Sequence, residues 1–583
     1  MADTKYTLIE TVASLELACR SIRTHRLIGV DTETTSLDPF RGRVRLLQLS
    51  TGEANYIVDL FRVRAFEQPE LRDLLTSPDH VKVLHNAKFD LKMLLHHFQI
   101  EVAPIFDTFL ASKLVAAGRP DMKHGLAAIS DRFLDESVDK SQQTSSWSGR
   151  LTDEQYQYAA RDSEVVLSLR EQLVARLVEL GMVDVAKLEF DCVLPIAAME
   201  LAGMAIDADC WHSQTRMMKQ AHDVLSSELK QELAAGVEQL SLFGEPDINL
   251  DSSAQIVDAL ARMGINVEGT RGFQLQPLAR RHPVIQKLLE YRTVQKALSS
   301  YGDSLLEQIN PKTGRLHPHF HQIGAAGGRM SCSEPNLQQV PNTPEYRCCF
   351  RAPAGRKLVI ADYSQIELRI IADWSADTRL VKALMSGEDL HSVTASQMLG
   401  VPLNQVSKEH RAVAKQLNYG LIYGLGPQGL AARIECPVEE AEALIKTYFA
   451  TYSGVAQWLH DAAERAIKDR ESRTRSGRLI TFTFDASDRS QVAAMERFGK
   501  NAPIQGSSAD IIKLALSLLY SALKGMDARI VNCVHDEIVV EVAAPEAEAC
   551  RAIVEREMVA AAREFISSVP AVVDSVIADA WLK

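Results

Sequence analysis

Apolar residues recur along this chain at two different spacings, and the changes between them outline its parts. HRLIGVDTETT and NYIVDLF are short β-branched and apolar runs that predict strands. EQYQYAARDSEVVLSLREQLVARLVEL instead repeats its apolar positions at helical spacing. Up to about residue 180 strands and helices mix, as in an α/β unit, and the polar stretch KSQQTSSWSGR between them reads as a loop. From Met182 to Gly203 a helical pattern continues with only Pro195 to interrupt it. The first unit is therefore joined to the rest by helix, in fixed relation, and not by a Gly/Ser linker. A helix-rich region follows to about Asn310, broken by a loop at LFGEPDINLDSS. Short strands, a helical block from roughly Ala376 to Ala466 and a terminal mixture with a hairpin pattern complete the chain.

The pattern breaks at positions that could carry chemistry. VIADYSQIELRI begins as a buried strand, then sets Asp362 where an apolar residue should stand, with Glu367 five residues on. ARIVNCVHDEIVVEV reads as two strands joined by a tight turn at His535, Asp536 and Glu537. Turn acids alone are ordinarily solvated. Two strand ends in one sheet, however, can bring carboxylates to metal-bridging distance, and such hard oxygen ligands suit Mg²⁺. A pair of ions roughly 3.5–4 Å apart supports in-line phosphoryl displacement, hence nucleotidyl transfer. Ser364 and Glu367 also fit an S-x-x-E capping box, which is the structural alternative for that glutamate.

In EHRAVAKQLNYGLIYGLG, Arg411, Lys415, Tyr419 and Tyr423 stand four residues apart and form one stripe on a helix. Cations occupy one end and rings the other, the order of phosphates and base in a nucleoside triphosphate. By itself such a stripe is more often an ordinary amphipathic face; beside two candidate metal-ligating acids the nucleotide reading prevails.

The amino-terminal unit offers a second set. Asp31 and Glu33 share one face of a strand, while Asn86 and Asp90, like Tyr158 and Asp162, stand four apart, so that each pair is expected to share a helical face. Each pair alone is weak. Together they supply four carboxylates for two metals and a phenol to orient water, the equipment for hydrolysing a terminal phosphodiester.

Composition changes this picture little. At 583 residues, about three to five structural units are expected, and 46% hydrophobic with 24% charged residues is ordinary for a globular protein. The net charge of −12 argues against a polyanionic partner over the whole surface but says nothing of a local groove. KDRESRTRSGR, with five cations against two anions, is either such a groove or a solvated loop. Nine cysteines without CxxC spacing argue against a disulfide framework or a zinc site, and Cys348 and Cys349 read as packing. The start lacks a signal peptide and no apolar stretch is long enough for a membrane span, so a cytoplasmic protein is expected.

DYSQIELR, RAVAKQLNYGLIYG and VHDEIVVEV resemble the three polymerase motifs of the bacterial DNA polymerase I family (family A), in order and spacing. The likeness extends through INPKTGRLHPHFHQIGAAGGRMSCSEPNLQQVP and NAPIQGSSADIIKLAL, and so over nearly the whole chain. The amino-terminal acids resemble the 3′–5′ exonuclease family, which includes proofreading domains and ribonuclease D. The resemblance implies a ribonuclease H-like exonuclease domain at 1–185 and a right-hand polymerase at 186–583, α/β plus α+β in class. The thumb would span about 190–310, the palm 311–374 and 496–583, and the fingers 375–495.

The resemblance also implies roles. Asp362, Asp536 and Tyr363 would ligate two Mg²⁺, or Mn²⁺ in their place, and Asp31, Glu33, Asp90 and Asp162 two more, with Tyr158 completing the nuclease. Arg411, Lys415, His391, Tyr419, Tyr423, Gln365 and Glu367 would bind the deoxynucleoside triphosphate, Glu367 excluding a ribose 2′-hydroxyl. Arg329, Asn336, Gln338, Arg497, Asn501, Gln505 and His535 would touch primer-template DNA. The nuclease would take single-stranded DNA 3′ ends, and a monomer is expected. Two departures from the family stand out. Tyr419 replaces a common phenylalanine, which in the family weakens rejection of dideoxynucleotides, and there is no room before Asp31 for a flap-nuclease domain. A 3′–5′ ribonuclease with a nucleic-acid grip, a binding module with dead sites and a single-subunit RNA polymerase are the alternatives. The intact acids speak against the first two, and Glu367 against the third.

Overall fold

The computed structural model describes residues 4–137, 142, 144–234 and 248–582. Parts of the two expected loops, at 140, 141, 143 and 242–247, lie outside the described residues. Six strands open the chain: β1 (Thr7–Ile9), β2 (Leu27–Thr34), β3 (Val44–Ser50), β4 (Asn55–Asp59), β5 (Val81–Leu84) and β6 (Ile105–Asp107). They form one sheet in the order β1-β4-β3-β2-β5-β6, mixed in direction. β2 pairs antiparallel with β3 and parallel with β5. The helix Asp153–Glu179 crosses β2 and buries Val165, Val166, Leu169 and Leu173 against the sheet. Gly29 allows this approach, because a Cβ there would come 1.9 Å from the carbonyl oxygen of Ser163. That contact sets Asp162 over the strand carrying Asp31.

The helix Val183–Ala202 joins the two halves and belongs to both. Val185, Ala186, Val193 and Ala197 pack into the amino-terminal core, while Cys192, Ile196 and Met199 on its other side pack into the core of the second half. The boundary expected after residue 185 thus falls inside one continuous helix. Residues 190–202, assigned to the thumb from sequence, are its end, and the next helix starts at Ala208. Ion pairs add to the junction: Lys88 and Lys92 reach Glu200 at 2.5 and 2.9 Å, and Lys524 reaches Glu101 at 2.5 Å.

Beyond it, β7 (Met204–Ala205) pairs with β8 (Arg315–Leu316), and β9 (His319–His321) with β10 (Ser331–Ser333). Between them Ala208–Leu233, Ser253–Arg262 and Pro283–Tyr301 close on a separate small core that includes Leu229, Leu260 and Leu288. β11 (Arg356–Tyr363) lies at the centre of the second main sheet. After a run of helices from Thr378 to Lys468, β12 (Glu471–Arg473) and β13 (Leu479–Thr481) form a hairpin. The helix Arg489–Ala522 then leads to β14 (Ala528–Val534), β15 (Glu537–Ala543), the helix Ala547–Arg563 and β16 (Val573–Ala578). The sheet order β14-β15-β11-β16 is antiparallel throughout.

The basic stretch KDRESRTRSGR supplies β12 and the turn of the β12–β13 hairpin, with Arg473 and Arg475 exposed. Arg478 is buried and donates to Glu189 and Asp510, both at 2.5 Å, and Lys513 joins the same Glu189 at 2.5 Å. Burying four charges is tolerable only because each meets an opposite one. Among the described residues no helix is long and apolar enough to cross a membrane.

Candidate active sites

Asp362 is the last residue but one of β11, after Val359, Ile360 and Ala361, all fully buried, and stands opposite Glu537 on β15 and Asp574 on β16. β14 and β15 are joined by a two-residue turn, His535–Asp536, with His535 in the left-handed region (φ +57°). Glu537, read as part of the turn, begins β15 and is buried against Trp581 Nε1 (2.7 Å) and Arg347 (3.3 Å). Asp536 and Asp362 meet closely enough to share a hydrogen bond. Burial, and then Asp362, push the Asp536 carboxyl up to about 7. Two acids forced together in this way favour either a shared proton or a cation between them, so the donor set fits a hard divalent ion.

Glu367 lies in the first turn of the helix Ile366–Ser375. The capping box open to it does not form, because Gln365 begins the helix in the left-handed region (φ +58°) with no side-chain cap bond. Glu367 instead accepts from Arg329 Nη2 at 2.7 Å and from the Tyr423 hydroxyl. Tyr423 lies past the end of the helix Lys408–Gly420, so the predicted four-residue stripe bends there. Gly424 (φ +73°) makes the bend close, since a Cβ at that position would sit 2.8 Å from Arg497 Cγ. Tyr419 is half-buried, and burial followed by the charges of Glu367, Asp536 and Asp362 raises its pKa.

These groups share a cleft of about 520 Å³, lined by Arg329, Gln338, Asp362 to Glu367, Tyr419, Tyr423, His535 and Asp536. Asp574 lines it as well; sequence reading missed this acid, since only sheet register reveals it. Arg411, Lys415 and His391 are absent from the wall of this cleft. Arg411 makes a two-pronged pair with Asp389 (2.8 and 2.9 Å), which holds that carboxyl well below its usual range. His391 is buried, its Nδ1 accepts from Asn418 Nδ2 at 3.0 Å, and it lies 5.6 Å, ring to ring, from Tyr419. Tyr363 cannot ligate a metal through its phenol, which donates to the Met558 carbonyl at 2.6 Å; only main-chain atoms remain for that role.

Of the remaining expected DNA contacts, the Asn336 side chain caps a short turn by accepting from Gln338 N–H, and Gln338 Nε2 donates to the Cys533 carbonyl at 3.2 Å. Arg497, Asn501 and Gln505 follow one another at four-residue steps on the helix Arg489–Ala522. Asn501 Oδ1 is buried without a hydrogen-bond partner.

The amino-terminal cleft, of about 460 Å³, is lined by Asp31, Asn86, Tyr158 and Asp162, and also by His319 and His321 of β9 from the other half. Burial and then Asp90 raise Asp31 well above the carboxylate range, and burial and then Asp162 push Glu33 up to about 9. Burial carries Asp90 and Asp162 each to about 7. Thr32 donates to Asp90 at 2.6 Å, and Tyr158 bonds to Asp162. Asp162 Oδ1 is buried with no hydrogen-bond partner. Four mutually repelling acids with an unbonded oxygen fit divalent cations.

Asn86 does not share a helical face with Asp90. It precedes the helix Lys88–Phe98 in the left-handed region (φ +59°), with its N–H held by Asp107 at 3.0 Å. Asp107, another acid that sequence reading missed, anchors that turn and the start of the next helix.

A family model for DNA polymerase family A matches residues 213–583, and one for 3′–5′ exonuclease matches residues 6–178. DNA polymerase I of Aquifex aeolicus is 33% identical over 610 residues, which cover 98% of each chain. DNA polymerase I of Pseudomonas aeruginosa is 32% identical over 93% of this chain but 62% of its own, so the chain spans about three-fifths of that relative. Among solved structures, the POL domain of Pol1 from M. smegmatis, in complex with DNA primer-template and dNTP, superposes with a TM-score of 0.84 at 28% identity. That match covers 98% of this chain and 99% of the other.

Proposed function

Because the chain belongs to DNA polymerase family A and carries a 3′–5′ exonuclease domain ahead of its polymerase domain, we propose that its two clefts build and trim the same DNA strand. In the polymerase cleft Asp362 and Asp536, with main-chain help from Tyr363, hold Mg²⁺ or Mn²⁺. Ions held there would supply the activation of the primer 3′-hydroxyl and the neutralisation of charge on the leaving oxygen. Arg411 and Lys415, with His391 behind them, take the phosphates of the incoming deoxynucleotide, Arg411 exchanging Asp389 for phosphate oxygen. Glu367, clasped by Arg329 and Tyr423, fills the space that a ribose 2′-hydroxyl would need. Tyr419 and Gln365 border the same pocket. Arg329, Asn336, Gln338, Arg497, Asn501, Gln505 and His535 grip primer and template independently of sequence.

In the nuclease cleft Asp31, Glu33, Asp90 and Asp162 hold cations of the same class, and Tyr158 orients the attacking water at a single-stranded 3′ end. The bacterial relatives support work on a bacterial chromosome in the cytoplasm, and one copy of the chain carries both clefts.

The observation that carries this reading is the presence, in one chain, of two clefts that each gather buried acids raising one another's pKa. Primer extension and 3′ degradation, run with Mg²⁺ and with a chelator, test it. Asp536→Asn should abolish extension and leave degradation intact; Asp31→Ala should do the reverse. The assignment fails if Asp31→Ala still degrades as fast as its parent, or if Asp536→Asn still extends.

A further inference from the structure

Three thiols gather at a point outside both clefts. Cys210 lies in the first turn of the helix Ala208–Leu233, whose start is capped by Asp207. Cys348 and Cys349 follow the short helix Pro344–Arg347, beside the palm core. The two segments are stitched together by the Asp207 N–H, which donates to the Cys349 carbonyl at 2.7 Å. Sequence reading treated the adjacent pair as packing, because Cys210 stands 138 residues from the nearer of them. In the fold the sulfurs form a triangle with edges of 2.8 Å (Cys210 to Cys349), 3.7 Å (Cys210 to Cys348) and 4.0 Å (Cys348 to Cys349).

We propose that Cys210, Cys348 and Cys349 bind one soft divalent cation of the zinc class, which clamps the base of the Ala208–Leu233 helix to the palm. Zinc–thiolate bonds of about 2.3 Å in tetrahedral geometry set sulfurs about 3.8 Å apart, and two of the three edges already match. The short edge is longer than the roughly 2.05 Å of a disulfide, and it opens by about 1 Å around an ion. A disulfide would use two sulfurs and leave the third without a role, whereas an ion uses all three.

Burial, and then the neighbouring sulfurs, raise the pKa of Cys348 and Cys349, with the Arg351 guanidinium opposing this at Cys348, so an entering ion has to displace their protons. Cys349 is buried, while Cys210 and Cys348 remain partly open to solvent. That side admits the ion and leaves a fourth position for water. Binding replaces three S–H protons, which leave to solvent, and no electrons move.

Titration of the reduced, metal-stripped full chain with Cd²⁺ tests the site, because sulfur-to-cadmium charge-transfer absorption ignores the carboxylates of both clefts. One equivalent should give the band, and added Zn²⁺ should remove it. Cys210→Ser and Cys348→Ser should each lose the band, and Cys436→Ser, a cysteine outside the triangle, should keep it. Primer extension checks that the variants are folded. If a variant does not accumulate, alkylation of the parent protein serves instead: Zn²⁺ should protect Cys210 and Cys348 and leave the rate at Cys436 unchanged. The proposal is overturned by the absence of a thiolate band, by a band that survives both substitutions, by alkylation indifferent to Zn²⁺, or by Cys210 and Cys349 found as a disulfide in the protein purified without reductant.

Discussion

Replacing Asp162 with asparagine should make the metal-free protein more stable while destroying its nuclease. Burial raises this carboxyl from 3.8 to about 7. At about 1.4 kcal/mol per tenfold change in the proton equilibrium, holding it ionised costs the folded state about 4 kcal/mol. The sign follows from proton uptake. The folded chain binds this proton more tightly than the unfolded one, so the penalty is absent below about pH 4, grows between about pH 4 and 7, and is complete above that. Asparagine keeps the shape and the contact with Tyr158 but removes the charge facing Glu33. Water and side chains in a metal-free cleft relieve part of the repulsion, leaving an expected gain of about 1–3 kcal/mol at about pH 8.

Hydrogen exchange of the amides in β2 and in the helix Asp153–Glu179, measured with a chelator present, reads this locally. The gain should shrink as pH falls, and Mg²⁺ should stabilise the parent more than the variant and so close the gap. A variant less protected than its parent at about pH 8, or a gain independent of pH, would refute the reasoning that burial penalises the ionised Asp162 in the folded state.

Other expected outcomes follow from the same contacts. Glu367→Ala, by freeing Arg329 and Tyr423 and opening the pocket, should raise ribonucleotide incorporation about ten- to a hundredfold relative to deoxynucleotides; competition assays with both triphosphates measure this ratio. Tyr419→Phe should strengthen rejection of dideoxynucleotides if its hydroxyl substitutes for the absent 3′-hydroxyl contact, and equal rejection by both proteins removes that idea. Lys513→Met strips one cation from the buried group with Arg478, Glu189 and Asp510. It should destabilise the chain by about 3–5 kcal/mol in urea unfolding.

How much could be read in advance depended on distance along the chain. Asp362 and Asp536 were legible because each interrupts a local apolar run, and Asp31 with Glu33 because a strand's two-residue period fixes their common face. Four-residue spacing alone does not place Asn86, because a left-handed turn held by Asp107 separates it from the helix that carries Asp90. The expected continuity of the Arg411 stripe failed at Tyr423 for a related reason: the helix stops at Gly420 and Gly424 turns the chain onto Arg497. Arg478 looked like a surface charge until Glu189 and Asp510, from distant segments, were brought beside it. Asp574 and Cys210 belong with partners more than a hundred residues away, and no local pattern announces such meetings.

The helix Val183–Ala202 gives opposite flanks to two hydrophobic cores, which makes surgery on this molecule difficult. A cut at residue 185 would strip one product of a wall and leave the other with a greasy, uncovered side, so either fragment alone would invite aggregation. Laboratory truncation should treat the rod as indivisible and expect heat to melt both halves in concert.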